Sequence, residues 1–176
     1  MTLTYSALAT RWGEEQLVHL PLDSIGSELL FSFDRLPPGG ALPSEVPRLF
    51  TVHLAGEPGL FDEIRCEFAD RGPYRFLVVG AAPGSPELLF GLDLVTGLVV
   101  LMDSVGQAVE PVSSSLAAFV EFLYRLAPLV DPDRPAPVAD TVAELRAELR
   151  AHDPAAFDSP QSWWSMVLDQ LARAHP

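Results

Sequence analysis

The sequence predicts an α+β fold: a mostly antiparallel sheet formed by the middle of the chain, packed against N- and C-terminal helices. Three observations carry that prediction. Apolar residues alternate with a period of two in Arg48–Leu54 and recur in short β-rich runs through Asp103. Turn-forming glycines and prolines separate those runs. From Leu116 onward the apolar spacing changes to three and four residues, the repeat of a helix face.

Taken in order, Met1 to Trp12 spaces Leu3, Leu8 and Trp12 as a short helix stopped by Gly13. Leu17-Val18-His19-Leu20 and Leu29-Leu30-Phe31 each suit a short strand. Leu36 to Pro43, with Pro37, Pro38, Gly39 and Gly40, is predicted to be irregular, because proline lacks a donor and glycine costs entropy. Arg48–Leu54 is predicted as a strand, and Tyr74–Val79 as another after the Gly72-Pro73 turn. Gly80 to Pro86 reads as a loop of small residues. Glu87–Leu94 and Leu98–Asp103 are predicted strands joined by Val95-Thr96-Gly97, a hairpin in which Gly97 can take positive φ.

Ser113, Ser114 and Ser115 offer N-caps to a helix whose face is Leu116, Phe119, Val120, Leu123 and Leu126. Three prolines between Asp131 and Pro137 end it. Val138, Val142, Leu145 and Leu149 form a second stripe, with Thr141 and Glu144 at capping-box spacing. Ser159 followed by Pro160 reads as the start of a final helix faced by Trp164, Val167, Leu168 and Leu171. No repeat or low-complexity tail interrupts the 176 residues, which are expected to form a single domain over 1–176.

Composition narrows the function. Hydrophobic residues at 48% and charged residues at 20% suit a folded chain rather than a disordered one. Eleven basic residues against 24 acidic ones give a net charge of −13, which repels phosphate backbones and suits a basic partner. Every basic residue is arginine. Without lysine there is no Walker A loop, no pyridoxal Schiff base and no kinase strand lysine. The lone Cys66 rules out an internal disulfide and a multi-cysteine zinc site. The most apolar run, Leu88–Met102, is too short for a bilayer and broken by Asp93, Thr96 and Gly97, so no membrane span is expected. With no basic n-region or apolar h-region at the start, residence in the cytoplasm is the expectation.

Sites of chemistry are hard to find. His19, His53, His152 and His175 have no metal-ligand spacing, and His53 reads as a partly exposed strand residue. No Gly-x-Ser-x-Gly elbow is present. Cys66 alternates with Ile64 and Phe68 and reads as a small buried hydrophobe. Gly80-Ala81-Ala82-Pro83-Gly84 matches no phosphate-binding pattern, so no cofactor and no metal are expected. Asp62 and Glu63 form the densest short acidic group, read as a solvated edge. Of Trp163 and Trp164, about 100° apart on a helix, one suits the core and the other its boundary, where a tryptophan can meet a partner.

The order of segments resembles a known group. Phe76-Leu77-Val78-Val79-Gly80, then Leu89-Phe90-Gly91-Leu92-Asp93 with Thr96-Gly97-Leu98-Val99, then Glu110-Pro111-Val112-Ser113-Ser114-Ser115-Leu116 are similar to the SUKH superfamily, and within it to the fourth group of immunity proteins. The shared pattern is a D-x-x-T-G-x-V hairpin before an N-S-S-L-like helix start. Arg11-Trp12-Gly13, the Leu42-Pro43 region and a tryptophan-bearing last helix also fit. Ser113 stands where asparagine is frequent, and both residues cap helices. The resemblance implies a non-catalytic bacterial immunity protein that binds a cognate toxin domain, often a nuclease or deaminase. An acidic chain would be steered to the basic cleft of such a toxin, and Asp62, Glu63, Glu67, Asp70 and Trp163 are the candidate partner-facing residues. Two other readings stay open: a regulatory scaffold for a cellular protein, and a small carboxylate-based hydrolase.

Overall fold

The computed structural model describes residues 3–68, 72–103, 108–135 and 137–173. It is α+β, as predicted. Helix α1 (Tyr5–Trp12) starts where the Thr4 hydroxyl accepts a 3.2 Å bond from the Ala7 amide, and it ends at Gly13. Strand β1 (Leu17–His19) follows, then the short helix α2 (Leu22–Ile25), β2 (Ala41–Pro43), β3 (Glu45–Val46) and β4 (Phe50–Thr51). The long meander consists of β5 (Glu63–Phe68), β6 (Gly72–Ala82), β7 (Ser85–Asp93), β8 (Val99–Asp103) and β9 (Ala108–Ser113). Helices α3 (Leu116–Val130), α4 (Ala139–His152) and α5 (Trp163–Arg173) complete the described chain.

Strands β1 and β2 form their own antiparallel pair. The remaining strands form one antiparallel sheet in the order β3-β4-β6-β7-β8-β9, with β5 also paired to β6. Helices cover one face. Leu77, Val79, Phe90, Leu92 and Val99 share a core there with Leu8 of α1, Phe119 and Leu123 of α3, Leu149 of α4 and Trp164 and Leu168 of α5. The other face carries a second cluster made without helices: Phe76, Val78, Ala81, Leu89, Val100 and Met102, with Leu54, Ile64, Cys66, Tyr74 and Val109 packed against them. The two parities of β6 and β7 are therefore both apolar, and these strands read as nearly continuous hydrophobic runs.

Several elements differ from expectation. Leu29–Phe31 is not a strand; it follows a 3₁₀ turn at Gly26–Glu28. Ala41–Pro43, expected to be irregular, pairs with β1 (Leu17 opposite Pro43), and a two-stranded ribbon leaves an unpaired edge where a donorless residue is tolerated. The strand predicted over Arg48–Leu54 shrinks to Phe50–Thr51. Arg48 takes φ 65° in a tight turn closed by Leu49 N–H to the Val46 carbonyl at 3.0 Å. Beyond it only Thr51 reaches β6, opposite Ala81, because β5 occupies the rest of that edge from Leu77 to Gly72. His53 consequently lies outside any strand, exposed.

The loop expected at Gly80–Pro86 contracts to the Pro83-Gly84 turn, since β6 runs on to Ala82 and β7 starts at Ser85. Gly80 is needed for close approach: a Cβ there would sit 2.6 Å from Phe50 Cζ and 2.8 Å from the Thr51 carbonyl oxygen. The Asp93–Gly97 hairpin is as predicted, with Gly97 at φ 77°. Buried Asp93 accepts bonds from Val95 N–H (2.9 Å) and the Thr96 hydroxyl (2.6 Å).

Of the three serines, Ser115 caps α3 through Ala118 N–H at 3.0 Å, while Ser113 ends β9. Helix α4 starts at Ala139 rather than at a Thr141 capping box, and Val138 is 69% exposed instead of facing the core. Ser159 caps a single turn through Gln161 N–H at 3.1 Å, one turn ahead of α5. Asp153, at the end of α4 and 2% exposed, accepts Ser114 N–H at 2.8 Å and so ties the C-terminal helices to the start of α3. Arg146 and Asp169 pair between α4 and α5. No helix among the described residues is long and apolar enough to cross a membrane.

Candidate functional site

Strand β5 lies on one side of β6 with no further strand beside it among the described residues. Its alternation sorts the side chains by face. Ile64 and Cys66 turn to the helix-free cluster, so Glu63, Arg65 and Glu67 project from the opposite face. Cys66 is half-buried there, and burial pushes its thiol above the ordinary value, which suits the packing role predicted for it.

Glu63 is the hub of a charge network. Its Oε1 accepts Arg75 Nε at 2.9 Å and Arg65 Nε at 2.7 Å, and its Oε2 accepts Arg75 Nη2 at 2.7 Å. The two-pronged bond from Arg75, together with Arg65, holds the Glu63 carboxyl down at about 2. A carboxylate held that low is ionised at neutral pH and cannot serve as a proton donor. Arg75 also pairs with Glu28, at the end of the 3₁₀ turn after α2. This ties strand sheet and N-terminal segment together across 47 residues of sequence.

The network continues into the backbone. Leu94 N–H donates to the Arg75 carbonyl at 3.0 Å, and Leu30 N–H donates to the Leu94 carbonyl at 2.9 Å. Arg35 Nη1 then reaches the Thr96 carbonyl at 2.8 Å and the Ser114 carbonyl at 3.1 Å. The rim of the sheet, the Asp93–Gly97 hairpin and the segment from Glu28 to Arg35 thus form one bonded unit.

The predicted partner-facing residues separate into two places. Asp62 is exposed and accepts Gly59 N–H at 2.6 Å, pinning the turn before β5. Glu67 is exposed opposite Pro73, on the same side as Glu63. Asp70 lies outside the described residues. Trp163 stands elsewhere, on α5, edge-on to Phe90 of β7 with ring centroids 5.5 Å apart. It lines a shallow groove of about 200 Å³ with Arg48, Met166 and Gln170. Its neighbour Trp164 is fully buried and donates its indole N–H to Ser113 Oγ at 3.0 Å.

A second groove, of about 290 Å³, is lined by His53, Leu54, Glu57 and Leu89 among others. His19 meets the Gly39 carbonyl and His152 meets Glu121, so these three histidines serve different parts of the fold. Among the described residues no group of three His, Cys, Asp or Glu side chains is placed to hold a metal ion. Sequence reading missed Glu28 and Arg75. Nothing in their local spacing marks them, since the two lie 47 residues apart in the chain.

An antiparallel sheet backed by helices, with its paired charges on a rim rather than in a cleft, defines an α+β protein whose candidate site is a surface. The SUKH-4 immunity protein family model matches residues 6–170, and the chain belongs to that family. No curated protein and no solved structure matches it.

Proposed function

We propose that the chain is a single-domain immunity protein that acts in the cytoplasm by binding a cognate toxin domain, a nuclease or deaminase with a basic cleft, and covering its active site without making or breaking a bond. Membership of the immunity family over residues 6–170 carries this reading. The net charge of −13 supports the choice of a basic partner, because opposite fields accelerate encounter. Within the acidic rim, Glu63 is already neutralised by Arg65 and Arg75, so of the described residues Asp62 and Glu67 supply the outward field and Glu63 holds the strand beside them; Asp70 is proposed as a partner-facing residue on its charge alone. Trp163, half-buried beside an open groove, is a separate anchor for the same partner.

The test uses the toxin domain encoded next to this chain's gene, with inhibition of its activity and association kinetics as readouts. Asp62→Arg with Glu67→Arg is expected to slow association severalfold and flatten its salt dependence, leaving dissociation nearly unchanged. Toxin activity that persists in the presence of a tenfold excess of the wild-type chain overturns the reading.

A further inference from the structure

Among the described residues, five large hydrophobic side chains stand well exposed, and three of them belong to the bonded unit beside the charged rim: Leu30 at 72%, Phe33 at 59% and Val95 at 48%. Single exposed apolar residues are ordinary; a group on one rigid platform is not. Leu30 is held against the hairpin by its amide bond to Leu94, and Val95 is fixed by the Asp93 carboxylate that accepts its N–H. Phe33 precedes Arg35, whose guanidinium clamps the Thr96 and Ser114 carbonyls, while Gly97 leaves room for Phe31 and the Arg35 stem. None of the three side chains is needed to fill either core cluster.

Charged residues adjoin them in the chain and continue along the β5 edge. Glu28 is next but one to Leu30 and bonded to Arg75; Asp34 is adjacent to Phe33 and exposed; Glu63, Glu67 and Asp62 follow along β5. Among the described residues of this rim, five carboxylates (Glu28, Asp34, Asp62, Glu63 and Glu67) stand against three guanidinium groups (Arg35, Arg65 and Arg75). A preorganised apolar centre with a charged border is the anatomy of a protein-binding surface, in which the centre sets the lifetime of the complex and the border sets its encounter rate.

We propose that Leu30, Phe33 and Val95 form the apolar centre of the toxin-docking surface, seating an apolar projection of the toxin that is itself bordered by arginine or lysine. The occupant follows from charge complementarity: an acid-rich border admits an apolar contact only from a partner whose own border is basic. This rests on the toxin-binding reading above and adds an apolar centre beside the β5 edge, where that reading names only the charges of β5 and, apart from them, Trp163. It also divides the labour, with β5 steering and the hairpin platform anchoring.

The experiment measures binding of the same toxin domain to Leu30→Asp and Val95→Asp, each checked for an unchanged melting temperature. Kd is expected to rise about 10- to 100-fold, nearly all of it in faster dissociation, in contrast to the association defect of the β5 reversals. Hydrogen exchange on the wild-type complex, which needs no variant, is expected to show new protection at 28–35 and 93–98. Wild-type chain that binds the toxin while both variants bind it within twofold, with no protection there, overturns this inference and leaves the function standing. Wild-type chain that binds no toxin overturns both. A wild-type dimer that Leu30→Asp converts to monomer assigns the platform to self-association and overturns the inference too.

Discussion

Trp164 and Ser113 give the sharpest test of how the C-terminal helix is locked to the sheet. The indole is fully buried on α5, and its N–H bonds Ser113 Oγ at the end of β9, itself 2% exposed. Trp164→Phe keeps an aromatic ring against Phe119 and Phe122, whose centroids lie 5.6 and 5.2 Å away. It removes ~40 Å² of apolar surface, or ~1 kcal/mol. The lost hydrogen bond adds ~1 kcal/mol, and the stranded serine hydroxyl adds ~1 kcal/mol more. A total of ~3 kcal/mol corresponds to a fall in Tm of about 6–12 °C for a chain of this size. Ser113→Ala strands the buried indole N–H instead, at ~2 kcal/mol. Because each single change abandons the same bond, the double variant is expected to cost ~1–2 kcal/mol less than the two single costs together. Urea denaturation of the four proteins measures this directly. Costs that add to within ~0.5 kcal/mol would refute the coupling and with it the role assigned to the bond.

Acid should selectively weaken the rim. Glu63 titrates at about 2 in the folded chain against an ordinary 4.5, so its contribution is complete above pH 4.5 and is lost as pH falls from there toward 2. Urea midpoints of wild type and Glu63→Gln should therefore differ at pH 7, draw together below pH 4.5 and converge only as pH falls through about 2; a gap that stays constant would contradict the assignment. Gly80→Ala forces a methyl into the Phe50 ring and the Thr51 carbonyl and is expected to cost about 3 kcal/mol or more. Gly84→Ala, with open space around it and only a positive φ to oppose it, should cost about 1 kcal/mol, and thermal melts of the pair separate the two effects.

What the sequence made legible was local. The Asp93–Gly97 hairpin, the Leu116 helix face, the end of α1 at Gly13 and the start of α3 at Ser115 all depend on residues within four positions of one another. The missed elements depend on distant partners. β5 exists because β6 offers it an edge, and the same occupancy leaves β4 a single pair to β6. β9 carries Glu110 and Pro111, which read poorly as a strand until β8 is beside them. The site follows the same rule. Asp62, Glu63 and Glu67 are an acidic run in any reading, whereas the Arg75 that neutralises Glu63 and the Glu28 beyond it meet only in the fold. Helical angle sets Trp163 and Trp164 on different faces without saying which turns inward; the structure buries the second more deeply than the first.

Both faces of β6 and β7 are buried, one beneath helices and the other in the sheet's own cluster of Phe76, Val78, Leu89, Val100 and Met102, against which Leu54, Ile64 and Val109 pack. Such a slab has no spare flat surface on which new contacts can be tried without loss of folding. Sequence change that keeps the fold must then accumulate along the margins, in hairpin tips and short connecting turns, where side chains can be exchanged at little thermodynamic risk.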